Sequence, residues 1–175
     1  MSDRFAHRLR LDQIGDGERL DLIADESERS AIARRLSLVS LERLEAHVTM
    51  VHAGTCIRAH GRLLASLEQS CVVSGDPVAA HVDEPFSIQF IPEPSSSSPD
   101  EEIELGEEDC DTVFYDGASI DLGSAIADTL ALSIDPYPRS AGADAALKEA
   151  GILTEEQASP FAVLAGLSRG GSEKA

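Results

Sequence analysis

Apolar residues recur at every second position over several stretches of the chain and at helical spacing over others. Phe5, His7, Leu9 and Leu11 share one face of an alternating segment, as in a half-buried strand. Gly15-Asp16-Gly17 interrupts it, and Arg19 to Ala24 resumes the alternation. Asp25-Glu26-Ser27-Glu28 has the acceptor-x-x-Glu spacing of a capping box, so a helix is expected from there to about Leu38. Ala31, Ile32, Arg35 and Leu36 continue it at helical spacing. Leu44, Ala46, Val48 and Met50 then face one way, Ala53-Gly54 offers a turn, and a long run follows from Thr55 to Val73 with Gly61 as a bulge or bend. After the turn residues Ser74-Gly75-Asp76-Pro77, alternation returns through Val78, Ala80, Val82, Phe86, Ile88 and Phe90, with Pro85 marking a kink or edge. This succession predicts an antiparallel meander.

Residues 92–111 break the pattern. A Pro/Ser-rich stretch precedes a dense acidic run that cannot bury enough apolar area to offset its ordering entropy, so a mobile loop is expected. Thr112 to Tyr115 reads as a short strand. Asp121 then caps a helix with Leu122, Ala125, Ile126, Thr129 and Leu130 on one face, ended by Asp135-Pro136. The fold class is therefore α+β with a dominant antiparallel sheet, one helix inserted early and one following the acidic loop; closure into a barrel is an open alternative. Residues 1–140 form the domain and 141–175 a tail with short helices, one over Ala145 to Gly151.

Composition narrows the picture. Hydrophobic residues make up 42% of 175 residues but aromatics only 4%, so the core must be aliphatic. Met1 to Arg8 lacks the apolar core of a signal peptide and no run is apolar enough to span a bilayer, so a cytoplasmic location without membrane association is expected. Cys56, Cys71 and Cys110 are too scattered for a disulfide framework or a paired zinc site.

Charge changes it further. The formal net charge is −18, and it is unevenly spread. Residues 1–62 hold ten Arg against ten Asp and Glu, whereas residues 63–138 hold 17 acidic groups and no Lys or Arg. Phosphate binding relies on Lys and Arg, so the acidic middle should repel RNA and suits a basic protein partner. Candidate partner-binding residues are Asp100, Glu101, Glu102, Glu107 and Glu108 in the acidic run, and Pro160, Phe161 and Leu164 in an apolar peptide near the end. Arg29, Arg34, Arg35 and Arg43 flank the first helix and could instead form an RNA-binding face; a solvated helix surface is the plainer reading.

Nothing in the pattern nominates catalytic chemistry. His52, Cys56 and His60 are spaced for a helical metal site, but strand–turn–strand patterning scatters them. Cys71 lies between apolar residues with no Lys or Arg close in sequence, which predicts a buried, inert thiol. Phosphate-loop, nucleophile-elbow and His-Glu-x-x-His motifs are absent. The expectation is a protein with no catalytic residues, metal or cofactor.

At Cys71-Val72-Val73 and the turn after it, the chain resembles the YceD family. The resemblance continues through the acidic loop, the Ile120-Asp121-Leu122 motif, and the helix from Leu130 toward Pro136, where the spacing to the proline is one residue longer than in the family. Pro160-Phe161-Ala162-Val163-Leu164 is similar to the family's Asn-Pro-Phe-Ala-x-Leu ending, and the Phe5 to Ile14 start and first helix also fit. Many members carry a second Cys just before the Cys71 position; Leu67 and Glu68 stand there instead, so no redox or metal role is carried over. The resemblance implies a role in accumulation or processing of the large-subunit (23S) ribosomal RNA, without established catalytic residues. A basic large-subunit ribosomal or assembly protein is the expected partner, with the 23S rRNA precursor as the alternative.

Overall fold

The computed structural model describes residues 8–54, 56–93 and 111–151. Its strands are β1 (Arg8–Arg10), β2 (Glu18–Ile23), β3 (Ser40–Ala53), β4 (Cys56–Ser70), β5 (Pro77–Pro92), β6 (Asp111–Tyr115) and β7 (Ser119–Asp121). Its α-helices are α1 (Glu26–Arg35), α2 (Leu122–Ser133) and α3 (Ala143–Glu149). The main sheet runs in the order β2-β3-β4-β5-β6, and β1 pairs with β7 in a separate two-stranded ribbon. β2 to β5 form the expected antiparallel meander. β6 departs from it by lying parallel to β5, with Ile88 opposite Asp111 and Pro92 opposite Tyr115. Parallel neighbours need a crossover of a dozen or more residues, which a local strand pattern does not disclose. β2 and β6 are the two edges of this sheet, and no closure into a barrel is found among the described residues.

Alternation decides which face is covered. Leu22, Leu44, Ala46, Val48, Met50, Ile57, Ala59, Leu63, Ala65, Ile88 and Phe90 are all buried in one cluster with Ile32 of α1 and Leu122, Ile126 and Leu130 of α2. Apart from Phe86 and Phe90 that core is aliphatic, as the composition requires. The opposite face of the sheet is polar, carrying the His47–Asp21 and Arg62–Asp83 pairs.

Gly61 is not a bulge. It pairs with Val48 on one side and Phe86 on the other without a register shift, and buried odd-numbered positions continue past it to Gln69. Its glycine is required by close approach instead: a Cβ there would lie 2.9 Å from the His47 carbonyl carbon and 3.1 Å from the Val48 Cα. The irregularity falls in β3, between Leu41 and Arg43, and lets both Leu41 and Leu44 face the core. Pro85 lies in the part of β5 that β6 does not reach, where a missing N–H costs no ladder bond on the open side.

Both helix starts follow the sequence. The Glu28 N–H donates to Asp25 Oδ1 at 2.8 Å, and the Asp25 N–H donates to Glu28 Oε2 at 2.9 Å, completing the capping box of α1. The helix itself stops at Arg35, three residues earlier than expected, and Ser37 takes a left-handed φ of 55°. Asp121 caps α2 by accepting the Ser124 N–H at 2.9 Å. α3 starts two residues earlier than expected and is followed by Gly151 at a φ of 72°, a conformation glycine adopts without penalty. At the other end, Leu9 pairs with Ile120, while Leu11 turns into a 3-10 turn over Leu11–Gln13 rather than extending the strand. Phe5 and His7 lie outside the described residues. No helix of the described residues is long and apolar enough to cross a membrane.

Candidate functional site

The motif residues of the sequence gather at two places. The first is a junction between the β4–β5 turn and the chain that leaves α2. The Gln69 side chain, buried at the end of β4, donates to the Asp135 carbonyl at 2.7 Å. One step on, the Val72 N–H donates to the Pro138 carbonyl at 2.9 Å. Between them the Cys71 sulfur accepts the N–H groups of Ser140, at 3.3 Å, and of Ser74, at 3.4 Å. The Asp76 carboxylate accepts both serine hydroxyls, from Ser74 at 2.7 Å and Ser140 at 3.3 Å. Cys71, Val72 and Pro136 are thus parts of one clasp, in which the proline follows the residue that Gln69 holds.

Cys71 is buried, at 3% exposure, as its apolar neighbours predict. Its acidity differs from the sequence expectation. The Ser140 N–H, then the Ser74 hydroxyl and N–H, favour the thiolate and draw the thiol down to about 6 from an ordinary 9.0, against the opposing effect of burial. The largest of these contributions comes from a residue 69 positions away, so a local search for Lys and Arg cannot find it. A side chain this enclosed has little access to a substrate, and the geometry is that of a tie.

The second place is a cleft of about 430 Å³ between β6, β7 and the start of α2. Ile120 and Leu122, each at 0% exposure, anchor the strand end and the helix start on either side of Asp121. Asp121 therefore caps α2 while lining the cleft. Asp116 and Asp128 add two more carboxylates to the wall, Arg8 contributes its one cation, and Phe114, 53% exposed, supplies an apolar surface. Sequence reading picked out Asp121 and Leu122 but passed over Phe114 and Asp116. β6 and β7 are only five and three residues long, too short for periodicity to show what they enclose.

The candidate arginines do not form one open face. Arg29 donates to the Ala24 carbonyl at 2.7 Å, within the fold. Arg35 reaches across to Asp128 of α2 at 2.7 Å, and Arg43 pairs with Glu45 at 2.6 Å. The Arg34 side chain is exposed and makes no hydrogen bond or ion pair among the described residues. Elsewhere Arg10, Arg62 and Arg139 also sit against carboxylates, those of Asp12, Asp83 and Asp144. His52 and His60 stand on different strands, at positions of opposite facing, so the four-residue spacing brings no ligand set together. Asp100, Glu101, Glu102, Glu107, Glu108, Pro160, Phe161 and Leu164 lie outside the described residues.

Residues 59–168 match the family model described as Large ribosomal RNA subunit accumulation protein YceD. The match begins within β4 and takes in the Cys71 clasp and the cleft lining apart from Arg8; the β1 to β3 region, to which the resemblance also extended, precedes it. No curated protein and no solved structure matches the chain. With more than half of its length matched, the chain belongs to the YceD family, whose description names a role in accumulation of large-subunit ribosomal RNA and no reaction.

Proposed function

We propose that this YceD-family chain is a non-catalytic, cytoplasmic factor that supports accumulation of the 23S ribosomal RNA by holding a basic ribosomal or assembly protein. The observation that carries this reading is where the charge lies and what is left to use it. Residues 63–138 are acidic without a single Lys or Arg. Half of the ten described arginines are already committed: Arg35, Arg43, Arg62, Arg10 and Arg139 each face a carboxylate. Nucleic-acid affinity scales with the number of phosphates neutralised, and a paired guanidinium must first give up its carboxylate. A basic ribosomal protein meets the opposite situation, because carboxylates outnumber cations over most of the chain and steer it inward. In this account the acidic run with Asp100, Glu101, Glu102, Glu107 and Glu108 draws the partner, and Pro160, Phe161 and Leu164 give an apolar anchor.

Direct RNA binding is tested by filter retention of a large-subunit rRNA transcript at about 0.15 M salt, where screening reaches within roughly 8 Å. The wild type and a variant carrying Arg34→Glu and Arg35→Glu are expected to retain equally little. Retention by the wild type that the variant loses would overturn the adaptor reading in favour of the arginine face.

A further inference from the structure

We infer that the cleft bounded by Phe114, Asp116, Asp121 and Asp128 is the docking site for an Arg- or Lys-bearing segment of a basic protein; this rests on the adaptor reading and gives it a place on the fold. Three features of the cleft point to such an occupant. Its charge is unbalanced, with three carboxylates against the Arg8 guanidinium in the wall and the Arg35 guanidinium that reaches Asp128 from outside it. Two of those carboxylates are already partly used, Asp121 by the Ser124 N–H and Asp128 by Arg35, yet a carboxylate has two oxygens and about four lone-pair sites. In each, one oxygen is engaged and the other is not bonded to another described residue. The Asp116 side chain, exposed in the cleft wall, makes no hydrogen bond or ion pair among the described residues.

The second feature is apolar. Phe114 is among the few large hydrophobic side chains left exposed, and it stands in the same wall as Asp116. An aromatic face beside carboxylates suits a guanidinium or a lysine stem, which bury methylenes and stack their cation while hydrogen-bonding at the tip. A small anion is excluded by the same wall, and a neutral apolar ligand would strand the carboxylates. The third feature is placement. Among the described residues β6 is an edge of the main sheet, so the segment that enters the cleft approaches alongside a strand border. The volume, about 430 Å³, accommodates one or two long basic side chains rather than a folded domain.

The test is fluorescence anisotropy with a labelled, extended peptide of alternating arginine and glycine, run against the full chain. Phe114→Ser and Asp116→Asn both change exposed side chains, and retained far-UV circular dichroism and melting temperature establish that they fold. The comparison variant, Glu42→Gln with Glu149→Gln, removes twice the charge that Asp116→Asn does, but from exposed positions outside both the cleft and the acidic run. The inference expects each cleft variant to weaken binding about tenfold, as befits one lost charged or stacking contact, and the comparison variant to weaken it less than about twofold. If the wild type holds the peptide and the cleft variants hold it as well, the cleft is not the site and the adaptor reading stands. If the wild type does not hold the peptide, the cleft inference falls by itself, and capture of the natural partner judges the adaptor reading separately.

Discussion

Asp121 is asked to do two things, and substitution can separate them. Its Oδ1 accepts the Ser124 N–H at the start of α2, while its charge contributes to the cleft. Asp121→Ala removes both. Losing an N-cap acceptor costs about 1 kcal/mol, within a range of roughly 0.5–2, which for a chain of this size lowers the melting temperature by about 2–4 °C per kcal/mol. Asp121→Asn keeps a carbonyl oxygen in the accepting position. It forfeits only the interaction of a negative charge with the helix N-terminus, roughly 0.3–1 kcal/mol, and relieves repulsion from Asp116 and Asp128. Its net effect on stability is expected near zero. Ser124→Ala should also be neutral at the cap, because the donor is the backbone N–H. Urea unfolding with a common slope reads the stabilities, and the peptide assay reads the charge. The expected result is a stable Asp121→Asn that binds the basic peptide weakly, beside an Asp121→Ala that is impaired in both. If Asp121→Asn loses as much stability as Asp121→Ala, the accepting oxygen is not what holds the helix start and the reasoning fails.

Two further outcomes follow from the fold. Gly61→Ala places a methyl against the His47 carbonyl and the Val48 Cα, backbone atoms fixed in the centre of the meander, so it should destabilise by about 3 kcal/mol or more; a melting temperature within 2 °C of wild type, roughly the size of a single surface effect, would show that the strands part easily there. The Cys71 thiolate is favoured in the folded protein, with its acidity drawn down to about 6 from an ordinary 9.0. A group whose folded value is depressed stabilises fully above its unfolded value and loses that contribution as pH falls through the folded one, so the window lies between about 6 and 9. Thiolate absorbance in the native protein should therefore appear near pH 6, and the wild type should gain stability over Cys71→Ala as pH rises through that window; a native thiol titrating above pH 8 would remove the amide donors from the explanation.

How far the sequence reaches is visible in particular residues. Alternation placed Leu44, Ala46, Val48 and Met50 on one face and the structure buries all four, because period two in a half-covered strand admits only one register with the core. The two helix starts were equally legible, since the capping carboxylates Asp25 and Asp121 act on amides three residues away. What escaped depends on distance along the chain. The parallel pairing of β6, the ribbon of β1 with β7, and the amides that Ser140 brings to Cys71 are all contacts between remote segments. The same limit applies to the candidate site. The carboxylate of Asp121 could be read as a cap, but not as part of a wall shared with Phe114 and Asp116, and the pairing of Arg35 with Asp128 could not be anticipated from charge counts.

The measurement that bears most directly on the central claim is capture of the crosslinked protein from cells at physiological salt, with RNase treatment before elution. The account predicts that a basic large-subunit ribosomal or assembly protein remains bound after RNase, and that removing residues 100–109 reduces its recovery. Direct crosslinking to precursor large-subunit RNA, with protein partners that disappear on RNase treatment, would contradict it.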